Sequence, residues 1–327
     1  MRGVHRIGML RGASMYFKAI KNILDDATDS YSQDMGQSID SICAKMGEHL
    51  QEMAKQHYED DPVIAYNDPL CRLAYLYKHV AANATLFERA LTHIDATNKV
   101  LKARAGKKLR VCSIGGGPGS ELLGLVKFLV RTAKPKKFMP ERIEFTIFDL
   151  VPQWGESWGQ LANQAESILK EEGKSGSFDA PLIAHNFYPL DITKKKSYSD
   201  FAWLLKTMDL VIFNYVISEN LESLDDIAAA LKLIAKKSDD DAALVFVDRK
   251  EYSNRINDWL LTVLPSAGFM LTESPIFEKG TLDSEDQVDK HLGDYPKKIG
   301  QTPRTKFWRQ TPQGRIPTAF YLAAQKT

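Results

Sequence analysis

From Leu109 to about Gly268 the chain alternates short apolar runs with amphipathic stretches, and this rhythm leaves few folds open. Apolar runs of strand length fall at Leu109–Ile114, Ile143–Phe148, Pro181–Phe187, Leu210–Phe213 and Ala242–Val247. Between them, apolar spacing of three and four residues predicts helices over Leu122–Thr132, Gly159–Glu171, Tyr198–Lys206, Leu224–Ala235 and Ser253–Leu264. Strands that are apolar along their length are covered on both faces. The pattern therefore predicts parallel βαβ units, an α/β sheet with helices on each side. Past Gly268 the alternation stops. Phe269–Phe277 and Thr318–Ala324 read as two more strands, separated by an irregular excursion at about 278–317 that is rich in glycine and proline. Segments of that length without regular elements are usually functional or disordered.

The first hundred residues follow a different pattern. Met15, Ala19, Ile23 and Leu24 share a helical face, as do Ile39, Ile42, Met46, Leu50 and Met53. Leu73, Leu76, Tyr77, Val80, Ala84, Phe87 and Leu91 do the same over a longer stretch. The expected organisation is a helical N-terminal region over 1–106, serving as lid or substrate-binding element, followed by an α/β domain over 107–327. Gly106 is the hinge candidate between them. A content of 44% hydrophobic and 26% charged residues excludes wholesale disorder, and no apolar run of about 18 residues predicts a membrane span. Cys43, Cys71 and Cys112 are odd in number and far apart, which gives neither a disulfide framework nor a zinc site and leaves no metal centre expected. No secretory signal is legible, so the expected location is intracellular, in cytoplasm or nucleus. The basic, acid-free first 24 residues keep a mitochondrial presequence as the alternative.

A formal net charge of +1 conceals a segregation. Residues 295–327 carry Lys297, Lys298, Arg304, Lys306, Arg309, Arg315 and Lys326 without one acidic side chain, and Tyr295, Phe307 and Trp308 lie among them. Cations neutralise phosphates and aromatic faces stack on unpaired bases, so the mixture suits single-stranded RNA, with Lys306, Trp308 and Arg309 as the candidate contacts. A solvated loop anchored by Trp308 is the competing reading. The lysine runs at 134–137 and Lys194–Lys196 read as solvated loop charge.

The strongest local signal is Val111-Cys112-Ser113-Ile114-Gly115-Gly116-Gly117-Pro118-Gly119-Ser120-Glu121-Leu122. A strand enters a glycine cluster and leaves as a helix, so backbone can approach a ligand closely and free N–H groups at the helix start can meet it. Glu121 near that start suits the helix dipole. Asp149 ends the second strand, where a carboxylate can accept ribose hydroxyls, or can serve only as a loop cap. Asp191 follows the third strand and equally suits a turn cap. The fourth strand leads into Asn214-Tyr215-Val216-Ile217-Ser218-Glu219, and the fifth into Asp248-Arg249-Lys250.

The G-x-G-x-G spacing of Gly115, Gly117 and Gly119 resembles motif I of the class I S-adenosylmethionine-dependent methyltransferases rather than the G-x-G-x-x-G of dinucleotide enzymes. Asp149, Asp191 and the Asn214–Glu219 run fall where that family has its later motifs. The final strand pair is similar to the reversed β-hairpin that closes its Rossmann-like, seven-stranded sheet. The resemblance covers Leu109 to the end and implies S-adenosylmethionine as cofactor, held by Ser113, Gly115, Gly117, Gly119, Glu121, Asp149, Asp191 and Asn214. It also implies that Asn214 and Tyr215 position the substrate. One departure stands out: the family often has an acidic residue at position 113 to hold the methionine ammonium group. Serine cannot pair a charge, so that contact is expected from Glu121 or a backbone carbonyl.

Asn214-Tyr215-Val216-Ile217 lacks the prolines of the amino-directed members, and no Pro-Cys pair follows the fourth strand. Exocyclic amino groups and pyrimidine C5 are thereby disfavoured as targets. The glycine loop together with Asp149-Leu150-Val151-Pro152-Gln153-Trp154, Trp158 and the Asn214–Glu219 run resembles a eukaryotic branch that includes fungal enzymes methylating uridine N3 in large-subunit ribosomal RNA. The run Ala74-Tyr75-Leu76-Tyr77 is compatible with that branch. The resemblance implies an RNA acceptor, with Arg249, Lys250 or Tyr215 favouring a deprotonated base. A small-molecule or protein methyltransferase of the same fold, and an inactive binding scaffold, are the alternatives. Trp154 and Trp158 read as a core-facing helical pair.

Overall fold

The computed structural model describes residues 14–56, 64–133, 138–176, 178–235, 242–272, 274–282, 288–312 and 314–326. Arg2, Arg6 and Arg11 and the lysines at 134, 136 and 137 lie outside the described residues. Four helices come first: α1 (Ser14–Met35), α2 (Ile39–Gln56), α3 (Pro69–His93) and α4 (Asp95–Ala103). The start of α3 is specified locally. The Asp68 carboxylate accepts from the Leu70 N–H at 2.8 Å, and Pro69 occupies the first turn, where a missing N–H leaves no bond unmade.

The alternating region follows as β1 (Lys108–Ile114), α5 (Ser120–Thr132), β2 (Arg142–Asp149), α6 (Trp154–Gly176), β3 (Leu182–Pro189), α7 (Lys195–Asp200) and α8 (Ala202–Leu205). It continues as β4 (Leu210–Asn214), α9 (Val216–Glu219), α10 (Leu224–Ala235), β5 (Ala243–Arg249) and α11 (Ser253–Ser266). The chain ends with β6 (Phe269–Leu271), β7 (Ile276–Glu278), α12 (Val288–Leu292), α13 (Tyr295–Ile299), β8 (Trp308–Thr311), β9 (Gly314–Pro317) and β10 (Ala319–Lys326). The main sheet has the order β3-β2-β1-β4-β5-β10, with β6 and β7 sharing the outer edge of β10. The five strands β1 to β5 are parallel and β10 runs against them. This is the expected α/β class with its reversed closing strand.

Three expectations about elements change. The single strand predicted over Phe269–Phe277 is two, β6 and β7. Between them Thr272 turns both its N–H and its hydroxyl onto the Ala323 carbonyl, and Pro275 has no N–H for a ladder. The helix predicted over Tyr198–Lys206 breaks at Phe201, whose ring packs against Tyr188 and Phe148. The excursion at 278–317 is not irregular throughout, because it contains α12, α13 and the β8–β9 hairpin.

One apolar cluster lies on each face of the sheet. The first runs from α1, α2 and α3 through α5 and α6, and the second joins the inner faces of α7, α10 and α11 to the other side. The N-terminal helices thus form part of a layer over the sheet: α3 crosses α5, α1 packs on α6, and α2 packs on α3. The close α3–α5 crossing depends on Gly124, since a Cβ there would lie 2.5 Å from the Ala84 carbonyl oxygen. Beside it the buried Glu88 of α3 meets Lys127 at 2.8 Å and Arg131 at 2.9 Å, both on α5. Breaking such a buried pair by removing one partner costs about 3–5 kcal/mol. Asp209 opens β4, accepting from the Arg110 N–H at 2.7 Å and pairing with Arg104 at 2.7 Å. The three cysteines are buried and free. Among the described residues no helix is long and apolar enough to cross a membrane, and no group of His, Cys, Asp and Glu could hold a metal.

Candidate active site

Parallel strands that turn away from one another leave a crevice at their carboxyl ends, and β1 lies between β2 and β4 at that point. The loop from β1 to α5 needs its glycines for space as much as for conformation. Gly119 caps α5 with φ +83°, and a Cβ there would collide with the ring of Trp158. Gly117, at φ +49°, faces an open space bordered by the Trp154 indole, 3.7 Å from where a Cβ would stand. Asp149 holds the loop in register: one carboxylate oxygen accepts from the Gly117 N–H at 2.9 Å and the other from the Val151 N–H at 2.9 Å. Burial raises the Asp149 pKa, and these two backbone donors oppose the rise. Leu150, next to it, is 65% exposed.

Deeper in the crevice, three sequence candidates come together. Ser113 of β1, Glu121 of α5 and Asn214 of β4 are all buried. The Glu121 carboxylate accepts from the Ser120 hydroxyl at 3.0 Å and, closely, from the Asn214 amide. Burial pushes Glu121 up to about 7 against the pull of its own backbone N–H, Ser120, Asn214 and Ser113. The remaining oxygens Glu121 Oε2 and Asn214 Oδ1 have no hydrogen-bond partner, and Ser113 Oγ lies near enough to lower the Glu121 pKa without making a bond of ordinary geometry. Three buried oxygens without donors form an incomplete polar site, which is costly unless a ligand completes it.

Tyr215, just beyond Asn214, has φ +61°, alone among the described non-glycine residues in being left-handed. Such strain is held in place by its surroundings and concentrates at functional sites. The Tyr215 N–H donates to the Val247 carbonyl at 2.8 Å, while its hydroxyl has no partner.

The other candidates fall elsewhere. Asp191 spends its carboxylate on its own turn, accepting from the Thr193 N–H at 3.0 Å and hydroxyl at 2.6 Å and pairing with Lys194 at 3.0 Å. These partners hold its pKa below the ordinary carboxylate range although burial opposes them. Arg249, at the end of β5, reaches Glu219 at 3.5 Å. Of the aromatics in the basic segment, Tyr295 and Phe307 are core residues, which corrects their expected place on an RNA surface. Tyr295 donates to Asp25 at 3.0 Å and Phe307 is fully buried under Arg89 and Arg304. Trp308 is half-buried on the β8–β9 hairpin, with Arg315 4.2 Å and Lys306 5.3 Å from its ring centre. Lys306, Arg309 and Arg315 are exposed.

Sequence reasoning missed the wall supplied by the N-terminal region. Tyr66, Tyr75 and Trp154 pack with ring centres 5.0–5.8 Å apart beside Gly117, so Trp154 is buried yet borders the loop. The Tyr75 hydroxyl lies 3.5 Å from the amide nitrogen of Asn83, whose buried Oδ1 is unpartnered. A signal existed: Asn83 is a polar residue within the apolar run of α3, between Val80 and Phe87.

A family model described as "Putative SAM-dependent methyltransferase" matches residues 28–254. Similar solved structures include a TehB-like SAM-dependent methyltransferase from Corynebacterium glutamicum, 13% identical with a TM-score of 0.36, the match covering 76% of this chain and 98% of that one. A SAM-dependent methyltransferase from Archaeoglobus fulgidus is 15% identical with a TM-score of 0.37, over 74% and 94% of the two chains. An O-methyltransferase family protein from Burkholderia thailandensis is 13% identical with a TM-score of 0.38, over 86% and 68%. No curated protein is matched. The family match runs from α1 into α11 and takes in the glycine loop, Asp149, Glu121 and Asn214, and by it the chain belongs to this family of S-adenosylmethionine-dependent methyltransferases.

Proposed function

We propose that this methyltransferase modifies RNA, taking a base nitrogen as acceptor and ribosomal RNA as its natural substrate. The observation that carries the reading is the position of the basic hairpin. Ala319 pairs with Arg249 in the sheet, so the β8–β9 hairpin, which ends two residues earlier at Pro317, emerges beside the carboxyl end of β5. That is the edge at which the crevice opens. Lys306, Arg309 and Arg315 could there neutralise phosphates while the Trp308 ring meets an unpaired base.

The residues present fit the cofactor. An ammonium group has three N–H donors and needs three acceptors, and Glu121 Oε2, Asn214 Oδ1 and Ser113 Oγ are three buried oxygens without partners. In this reading Glu121 supplies the charge that Ser113 lacks. Asp149, with lone pairs left after its two backbone bonds, would accept the ribose hydroxyls, and Leu150 offers apolar surface for the adenine. The local bonds of Asp191 favour a turn-forming role for it over an adenine contact. Bound S-adenosylmethionine supplies an electrophilic methyl carbon on a sulfonium. The chain's own work is to orient the acceptor with Asn214 and Tyr215 and to exclude water.

Deleting the basic segment would strip Tyr295, Ile299 and Phe307 from the core, so charge reversal is the cleaner test. Transfer of a tritiated methyl group to total RNA is expected from the intact protein and should fall with Lys306→Glu plus Arg309→Glu, recovering as salt is lowered. Transfer to a metabolite pool but not to RNA would replace this reading with the small-molecule one.

A further inference from the structure

The crevice holds a carboxylate that cofactor binding leaves unused. Glu219 ends α9, the single turn after Asn214 and Tyr215. That turn is braced: the Ser218 N–H donates to Asp248 at 3.1 Å and the Ser218 hydroxyl donates to the Tyr215 carbonyl at 3.1 Å. Glu219 therefore projects from a fixed backbone at the crevice mouth, with 57% of its side chain open to solvent.

The groups that face it come from several elements. Arg249 and Asp248 stand at the end of β5, Asp149 at the end of β2, and Tyr66 and Tyr75 before and within α3. Arg249 is the single cation among these neighbours, and at 3.5 Å it makes a long ion pair. Although one side of Glu219 is open to water, desolvation by the protein on its other side raises its pKa to about 7; Arg249 opposes the rise and Asp248 and Asp149 add to it. Two further carboxylates acting on Glu219 against one arginine disfavour its ionised form, an arrangement that persists where the chemistry uses it. Independently, Tyr215 OH and Asn83 Oδ1, neither of them used by the cofactor, are buried without partners on the segments that border this space. They point to a polar, hydrogen-bonding ligand beyond the cofactor.

We propose that Glu219 is the general base of the reaction and that the acceptor is a nitrogen that arrives carrying its proton. This rests on the proposed RNA reading and sharpens it. As the nitrogen–carbon bond forms, the N–H bond breaks and its electron pair stays on nitrogen. The proton passes to a Glu219 carboxylate oxygen, and the pair of the breaking sulfur–carbon bond stays on sulfur. From Glu219 the proton leaves to water through the open side of the side chain. Arg249 acts as a positioning residue for the carboxylate.

The test compares the intact protein with Glu219→Gln and Glu219→Asp in three measurements. Calorimetry with S-adenosylhomocysteine should give affinities within about twofold of each other, because the base does not hold the cofactor. Carboxyl carbon-13 spectra of glutamate-labelled protein should contain a resonance that titrates near neutrality and is missing from Glu219→Gln. At saturating S-adenosylmethionine, where the pH dependence of cofactor affinity through Glu121 does not enter, methyl transfer to total RNA should rise about tenfold per pH unit up to neutrality and then level off. Glu219→Gln should lose about a hundredfold or more and that pH dependence with it, and Glu219→Asp should retain part of both. A folded Glu219→Gln protein that methylates RNA at the normal rate and pH profile overturns the proposal while leaving the RNA reading intact. If the intact protein binds S-adenosylhomocysteine but never methylates RNA, the RNA reading fails and the spectra decide. Titration near neutrality then supports the base, and titration in the ordinary carboxylate range overturns it.

Discussion

The glycine loop and the basic C-terminal segment are both conspicuous in the sequence, one through what it demands of the backbone and the other through composition. At the loop, Gly117, Asp149, Glu121 and Asn214 meet at one crevice. In the basic segment, neighbours part company: Phe307 is fully buried while Lys306 and Arg309 on either side of it are exposed. A glycine motif fixes its own geometry, because only one backbone path satisfies its positive φ values and close contacts. Basic and aromatic content fixes no path. Whether an aromatic side chain enters the core or meets a ligand is decided by packing partners that lie far away in the chain.

The contrast can be broken most sharply at the loop. Gly117→Arg, at φ +49° and pointing past Trp154 into the crevice, should abolish S-adenosylhomocysteine binding in calorimetry while RNA affinity by fluorescence anisotropy stays intact. Loss of both together would mean that the two regions are not separable.

Next in size is a stability difference between adjacent residues. Phe307→Ala should cost about 3–5 kcal/mol in urea unfolding, whereas Trp308→Ala should cost under about 1 kcal/mol yet weaken RNA binding by about 1–3 kcal/mol if a base stacks there. Equal stability losses would place both rings in the core.

A smaller effect follows from Glu121. An ammonium group requires its ionised form, so S-adenosylhomocysteine affinity should fall about tenfold for each pH unit below neutrality. A flat profile between about pH 5 and 8 would assign the charge pairing to another residue. The mildest test is Lys306→Glu or Arg309→Glu singly. Each should lower RNA affinity and reduce the dependence of log affinity on log salt by about one, with no change in cofactor affinity.

Much of the fold was legible because apolar runs and helical periodicity report burial directly, and the five parallel strands follow from them. The breaks at Phe201 and Thr272 were not, since each depends on a contact made across the sheet. At the site, Ser113 raised the question of where the ammonium charge is balanced, and Glu121 was already its candidate partner. The wall made by Tyr66, Tyr75 and Asn83 stayed hidden. Their periodicity looks like core, and only the α3–α5 crossing at Gly124 brings that face over the crevice. Glu219 was written in the run after β4, but its setting comes from Asp248 and Asp149, distant strand ends that periodicity does not pair.

The central claim, that Glu121 takes over the charge missing at Ser113, is tested most directly by Glu121→Gln at about pH 8. The substitution should act in opposite directions on stability and binding. Because the folded pKa of Glu121 is raised to about 7, the cofactor-free protein gives up stability as pH climbs from the ordinary carboxylate value to neutrality, and glutamine removes that loss. The melting temperature of the free variant should therefore rise. Its affinity for S-adenosylhomocysteine should fall by about tenfold or more, the worth of one charged hydrogen bond. A variant that is folded and binds S-adenosylhomocysteine as tightly as the intact protein would contradict the account.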